Sequence, residues 1–336
     1  MPRPIRLSLP SKGRLAEDAL SFLERCGLKV YRPNPRQYEA SLPDLPGLRV
    51  IFQRPTDIVV SVRDGSVDFG ISGLDVVEER RGDNGEIIVV HDALGFGQCS
   101  LGLAIPEAWP VQTIEELRRY AASQAQPLRV ATHFLKLTKR FLEAQKIHGY
   151  TLVEAEGTLE VAPAIGYADM ICDLIASGQT LRDNRLRPLA DGYILHSQAV
   201  LIANRAELQT NPTALKLISQ MLEYIEAHLR AEENYLVIAN MRGDSPATIA
   251  QALFARAELS GLQGPTIAPI FTRDGEPYCS VSIVVRKVEV IPAVRALRAV
   301  GGSGVIVTPV TYIFEEEPPR YKAMLENLKL QAKAQA

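Results

Sequence analysis

The sequence predicts an α/β protein of two lobes followed by a smaller β-α-β-β-α-β module, and three observations carry that expectation. Short apolar runs alternate with amphipathic segments through the first two-thirds of the chain, the rhythm of strand, crossover helix and parallel strand. The 336 residues, 46% hydrophobic and 23% charged, are too many for one ordinary core and have the usage of a globular fold. Near residue 230, after a long amphipathic helix, the order changes to that of a ferredoxin-like module.

In chain order, Ile5–Leu9 reads as a strand and Leu15–Arg25 as a helix with Leu15, Ala19, Leu20 and Leu23 on its apolar face. Strands at Leu48–Phe52 and Val67–Ile71 flank a helix near Asp57–Arg63, and Ser100–Ile105 is a further strand, followed by a plausible crossover. A second series follows: helix Thr113–Ala122, strand Leu128–Thr132, helix Leu137–Ala144, strand Tyr150–Val153, helix Glu160–Ile165 and strand Met170–Leu174. Ala199–Ala203 has the character of a strand returning to the first sheet, which makes two lobes joined by two crossings with a cleft between them. The amphipathic helix Thr213–Arg230 leads to strand Tyr235–Ala239 and helix Ser245–Ala255, where Ser245 is the N-cap and Pro246 the first helical residue. Strands Thr266–Ile270 and Cys279–Val285, helix Val288–Val300 and strand Gly304–Val310 complete the module. The expected domains are 1–105 with about 195–230, 106–194, 231–314, and a tail 315–336. That tail reads as an acidic turn and a short helix, solvated or packed on a subunit.

Several function classes recede on composition. Lys plus Arg number 37 against 39 for Asp plus Glu, a net charge of −2, so a global nucleic-acid footprint is disfavoured. Cys26, Cys99, Cys172 and Cys279 lie far apart with no CxxC pair, which speaks against a zinc site or disulfide framework and fits a reducing cytosol. The start, MPRPIRLSLPSKGRL, has no apolar core segment and no run reaches transmembrane length, so the expectation is a cytoplasmic protein without a membrane partner.

The most informative stretch runs from Glu160 to Leu181. A strand ends in the small-residue loop Ala176-Ser177-Gly178, and Thr180 opens the next helix; Ala176 to Leu181, with Gln179 among them, form the candidate loop. Such a loop lets backbone N–H groups converge on an anion, with the Ser177 and Thr180 hydroxyls as further donors; it is also an ordinary helix cap in other settings. Asp169 and Asp173 are read at the end of the strand, placed to accept hydrogen bonds from sugar hydroxyls. The spacing E-x5-G-x-A-x2-I-x-D-L-x2-S-G-x-T-L resembles the signature of the ATP phosphoribosyltransferase family. Ser11-Lys12-Gly13-Arg14-Leu15 is similar to that family's N-terminal KGRL motif. Arg54-Pro55-Thr56-Asp57-Ile58, the run Asp68 to Asp75, and Leu94-Gly95-Phe96-Gly97 are similar to its next landmarks. Arg129-Val130-Ala131-Thr132 is similar to the strand of its second lobe, and Gly264 to Pro269 to part of its long-form regulatory domain.

The resemblance implies two periplasmic-binding-protein-like lobes forming a catalytic cleft, plus a C-terminal ferredoxin-like regulatory domain. It implies transfer of the phosphoribosyl group of 5-phosphoribosyl 1-diphosphate to N1 of ATP, the first step of histidine biosynthesis. A homo-oligomer, dimer to hexamer, inhibited by L-histidine is implied as well. Mg²⁺ would be carried by the substrate phosphates, with Glu160 as a candidate ligand. Carboxylates Glu160, Asp169 and Asp173 would stabilise positive charge on the ribosyl ring, and Ala176 to Leu181 would hold phosphoribosyl diphosphate. Lys12, Arg14, Arg36 and Arg54 are the cations for the ATP and diphosphate oxygens, with Asp75 and Val76 at the adenine. The bland alternatives are surface ion pairs for these cations and helix caps for Glu160 and Asp75. His91, His133, His148 and His196 show no ligand spacing and read as non-catalytic. For the effector the positions are Ala239, Met241, Thr266, Gly302 and Ser303. The family's acid after the first regulatory strand is missing here, which leaves Asp244 or backbone carbonyls for the amino group of histidine. The competing class is a non-catalytic regulatory or ligand-binding protein on the same lobes.

Overall fold

The computed structural model describes every residue except Met1, Pro2, Pro35, Glu156, Asp244, Ser260, Gln335 and Ala336. The chain divides into two compact units, Met1–Met221 with Pro319–Ala336, and Leu222–Pro318. The first unit opens with β1 (Ile5–Pro10), α1 (Arg14–Arg25), β2 (Glu39–Ser41), β3 (Leu48–Gln53), α2 (Pro55–Arg63), β4 (Phe69–Gly73), α3 (Leu74–Arg80) and β5 (Ile87–His91). It continues with β6 (Cys99–Pro106), α4 (Ile114–Ser123), β7 (Leu128–Thr132), α5 (Leu135–Ala144), β8 (Tyr150–Glu154), β9 (Met170–Ile175), α6 (Gln179–Asp183) and β10 (Leu186–Ser197). The return is β11 (Ala199–Asn204) and α7 (Arg205–Thr210), and α8 (Pro212–Glu232) carries the chain into the second unit.

Two sheets divide the first unit into lobes: β2-β3-β1-β4-β11-β5 in the first and β10-β6-β9-β7-β8 in the second. β1, β3 and β4 run parallel, as do β7, β8 and β9, so each lobe gathers strand C-termini along one edge. β4 and β11 are buried along their whole length, which is why both read as continuous apolar runs. Packing of α2 on β4 depends on Gly70, where a Cβ would come within 2.5 Å of the Ile58 side chain.

The structure corrects several sequence expectations. Cys99–Pro106 pairs with β9 and β10, so it belongs to the second lobe, and the crossing falls before residue 99 instead of at 105. The return crossing is at Gln198, because β10 persists to Ser197. β10 was not expected as a strand: Pro188, Asp191 and Gly192 interrupt its pattern, and it tolerates them as an edge strand with register shifts. The helix expected over 160–165 is only a 3₁₀ turn, Leu159–Val161, because Pro163 and Gly166 prevent its extension. β2, α3, β5 and α7 were likewise not foreseen as elements.

The second unit contains β12 (Asn234–Arg242), α9 (Pro246–Phe254), β13 (Thr266–Ile270), β14 (Tyr278–Arg286), α10 (Val290–Ala299) and β15 (Gly302–Pro309). These form an antiparallel sheet in the order β13-β14-β12-β15, with α9 and α10 covering the face that carries Val237, Val281 and Ile283. Ser245 caps α9 by accepting from the Thr248 N–H. The tail helix α11 (Pro319–Ala334) keeps one face of its first turns exposed and buries the other within the same chain. It docks on the first lobe, where Arg320 donates twice to Asp92 and Met324 and Leu328 are buried.

Candidate functional site

In the first lobe the site begins where two neighbouring parallel strands stop. Pro10 lies beside Gln53 in register, and the Ser11 N–H donates to the Gln53 carbonyl at 2.8 Å. Lys12 and Arg54, beyond those ends, therefore emerge at the same edge of the sheet, and both are exposed. Gly13 is the N-cap of α1 and supplies no capping side chain; Arg54 is the N-cap of α2 and supplies none either. Two helix N-termini with uncapped first turns thus lie beside two cations, a combination suited to polyanions. Arg14 is exposed at the start of α1, with a loose pair to Asp18 at 3.6 Å. Arg36 is exposed in the loop leading into β2; that strand is antiparallel to β3, so its start lies at the same edge as Arg54.

Asp75 does not present its carboxylate to a ligand. It is buried in the first turn of α3, accepts from the Ser197 hydroxyl, and returns its own backbone N–H to the Ser197 Oγ at 3.0 Å. Burial raises its pKa above the usual carboxylate range, against the Ser197 hydrogen bond. Since Ser197 ends β10 and Leu74 N–H donates to the Gln198 carbonyl, the pair fastens the return crossing between the lobes. Val76 packs on the core formed by Ile58, Val59 and Val77.

The second lobe brings three groups together. Thr132 at the end of β7 is in register with Cys172 on β9, so the next residues, His133 and Asp173, are neighbours at the same edge. Burial raises the Asp173 pKa; the Leu174 N–H bond at 2.7 Å opposes that shift, the Glu160 charge adds to it, and His133 works against it. Asp173, Glu160 and His133 therefore form one electrostatic group, and His133 is a member that spacing along the sequence does not reveal. Immediately beyond β9 lies the loop Ala176 to Thr180, in which Ala176, Ser177, Gln179 and Thr180 are exposed. Gly178 takes a φ of +69°, a conformation natural to glycine, and this turns the chain into α6. The Gln179 N–H donates to the Ser177 hydroxyl at 3.3 Å, Arg182 donates to the Ser177 carbonyl, and Gln179 also bonds Asp183. Leu181 is buried in the core with Leu159 and Ile171, so it anchors the loop and does not face a ligand.

Asp169 is corrected outright. It precedes β9, at the strand's opposite end, about 13 Å from Asp173 along four residues of strand. Its carboxylate accepts from the Arg129 backbone N–H at 2.7 Å and from the guanidinium at 2.9 and 3.1 Å, and Arg129 holds its pKa below the usual value. Asp169 joins β7 to β9; it is not part of the cleft edge.

Of the five effector positions four lie together at one end of the sheet, Met241 in register with Gly302 and Asn240, next to Ala239, in register with Ser303, while Thr266 stands apart. Ala239 and Met241 point into the core under the helices, because the pleat sends Val237, Ala239 and Met241 to one face and Asn240 to the other. Thr266 is on the edge strand β13, and Gly302 and Ser303 are on the opposite edge strand β15, about 14 Å away across three strand spacings. Asp244 lies outside the described residues. The unit does contain a cavity of about 440 Å³ lined by Asn234, Glu258, Leu262, Arg286 and Glu289, none of them foreseen. Asn234 is 7% exposed, and its Oδ1 has no hydrogen-bond partner among the described residues.

The family model described as ATP phosphoribosyltransferase matches residues 54–227, and that described as HisG, C-terminal domain, matches 231–312. "ATP phosphoribosyltransferase 2, chloroplastic" of Arabidopsis thaliana is 47% identical over 97% of this chain and 81% of its own length. The ATP phosphoribosyltransferase of Rhodopseudomonas palustris strain HaA2 is 30% identical over 98% of this chain and the whole of its own. A chain of the ATP phosphoribosyl transferase (HisG:HisZ) complex from Thermotoga maritima superposes with a TM-score of 0.52 at 23% identity, over 66% of this chain and 96% of that one, a likeness of fold.

Proposed function

The chain belongs to the ATP phosphoribosyltransferase family, and from that membership we propose how its residues divide the work of transferring phosphoribosyl from 5-phosphoribosyl 1-diphosphate to N1 of ATP. The observation that carries the division is the contrast between the two strand edges: cations at helix N-termini in the first lobe, coupled carboxylates beside a glycine-turned loop in the second. Ser177 to Thr180 hold the 5′-phosphate through backbone N–H groups and hydroxyls. Asp173, with Glu160, accepts the ribose hydroxyls and offsets positive charge on the ring as the pyrophosphate leaves. Lys12, Arg54 and, from the loop before β2, Arg36 take the triphosphate and the departing pyrophosphate. Arg14 extends that cationic edge, while Asp75 and Val76 contribute by fixing α3 and not by their side chains meeting adenine.

Mg²⁺ enters with the substrate phosphates. Among the described residues no three His, Cys, Asp or Glu side chains converge on a metal position, whereas Glu160 beside Asp173 suits a cation already bound to diphosphate oxygens. L-histidine acts through the cavity and not at the five positions above, where the Ala239 and Met241 side chains are buried in the core. In the cavity Asn234 Oδ1 and the Glu258 carboxylate accept from an ammonium, and Arg286, which is paired with Glu289, donates to a carboxylate. A cytoplasmic homo-oligomer completes the proposal; among the described residues no helix is long and apolar enough to cross a membrane. The direct test is incubation with ATP, phosphoribosyl diphosphate and Mg²⁺, following the absorbance of phosphoribosyl-ATP. Folded protein that gives no product refutes the proposal.

A further inference from the structure

Helix α5 begins on a sequence that cannot cap it. Its N-cap residue is Phe134, which supplies no capping side chain, and its first turn, Leu135-Lys136-Leu137-Thr138, contains no acid. Left so, the first N–H groups would have no acceptor and the positive end of the helix no counter-charge. The cap comes from the other lobe. The two carboxylate oxygens of Glu79, on α3, accept from the backbone N–H groups of Lys136 and Leu137, each at 2.9 Å. These are the second and third helical positions, the ones an N-cap side chain ordinarily serves. Alongside, the Lys136 Nζ pairs with Asp83, in the first-lobe turn after α3. All of these bonds cross from the first lobe to the second.

The placement matters because only His133 and Phe134 separate β7 from α5. Whatever fixes its first turn also fixes His133, the neighbour of Asp173, relative to the first lobe. We propose that Glu79 is a positioning residue for the transferase reaction: by capping α5 in trans it holds the lobes together, so that substrates reaching from Lys12 and Arg54 to the Ser177 loop meet a cleft already biased toward closure. When the lobes part, two N–H groups pass to water and the carboxylate loses the helix end that favoured it. When they close, both are satisfied without any contribution from substrate. A ligand that spans the lobes then spends less of its binding free energy on closure.

The test compares Glu79→Gln and Glu79→Ala with the parent full-length protein in two measurements, one of them independent of activity. Hydrogen exchange in the segment 133–140, with and without ATP, phosphoribosyl diphosphate and Mg²⁺, reports the cap directly. Steady-state kinetics separate KM from kcat. Glu79→Ala should exchange faster than the parent without substrates and regain protection with them. Its KM for both substrates should rise about tenfold, the size of one lost cap, with kcat within about twofold. Glu79→Gln keeps one accepting oxygen and should fall between the two. Unchanged exchange overturns the trans cap, whatever the activity. Faster exchange with unchanged KM makes the bond a local cap without a role in closure, and a fall in kcat alone would put Glu79 among the reacting groups; either result overturns the proposal. If Glu79→Ala is not soluble, Lys136→Met, which removes only the pair with Asp83, should raise both KM values about twofold to threefold. Failure to do so counts equally against it.

Discussion

His91 makes acid a specific threat to the first lobe. It sits on β5 with no exposed surface, its Nδ1 accepts from the Ala93 N–H at 3.2 Å, and its Nε2 is buried with no hydrogen-bond partner among the described residues. Burial, and then the Arg320 guanidinium that α11 brings to Asp92, push its pKa down to about 3, with Asp92 opposing. In the unfolded chain the group titrates near 6.5. Between those two values the unfolded state holds a proton that the folded state refuses, so stability falls as pH falls. The loss is about 1.4 kcal/mol per pH unit below 6.5, or about 2 kcal/mol by about pH 5. His91→Asn retains an acceptor for the Ala93 N–H and removes the titration. Its packing cost is independent of pH, so only the pH-dependent part of the difference is diagnostic. Urea unfolding of both proteins from about pH 8 to about pH 5 should show the parent losing its advantage by that amount. Stability curves that stay parallel would refute the reasoning. Arg320→Ala, which removes the second cause, should make the fall level off at a higher pH while leaving its slope just below 6.5 unchanged.

Four further outcomes test the site. Thr180→Ala removes one hydroxyl donor to a charged acceptor, about 1.5–3 kcal/mol, so KM for phosphoribosyl diphosphate should rise tenfold or more; an unchanged KM reduces the loop to a helix cap. Asp173→Asn should lower kcat with little change in thermal midpoint, whereas Asp169→Asn should do the reverse, costing up to about 1 kcal/mol of stability through Arg129 and leaving kinetics intact. The opposite pairing of effects would restore Asp169 to the cleft. Asn234→Leu fills the cavity with an apolar group and should weaken histidine inhibition at unchanged uninhibited turnover; inhibition as strong as the parent's would place the effector elsewhere.

Much of the architecture is legible because the central strands are buried on both faces. β4, β7, β9 and β11 stand out as apolar runs of strand length between amphipathic segments, and the return of 199–203 to the first sheet follows from its composition. The elements that escape the sequence sit at edges or are too short to show a period. β2 has three residues, and β10 carries a proline, an aspartate and a glycine through its bulged middle. Assigning β6 to the second lobe requires knowing that it pairs with β9 and β10. Nothing local to Cys99–Pro106 encodes those partners.

The site divides along the same line between local and long-range order. Ser177-Gly178-Gln179-Thr180 and Lys12-Gly13-Arg14 are contiguous, so their chemistry is visible as text. His133 beside Asp173, Ser197 on Asp75 and Glu79 on α5 are made by pairing residues dozens or more apart, and no spacing rule finds them. Two misplacements had local signals that outrank motif spacing. Val237, Ala239 and Met241 alternate with Ile238, Asn240 and Arg242, and that period of two assigns the first set to the core before any ligand is considered. Asp169 and Asp173 share a motif, yet one precedes the strand and the other lies near its end. In a parallel sheet only the C-terminal edge faces the ligand, so the order of residue and strand along the chain separates the structural carboxylate from the one positioned for chemistry.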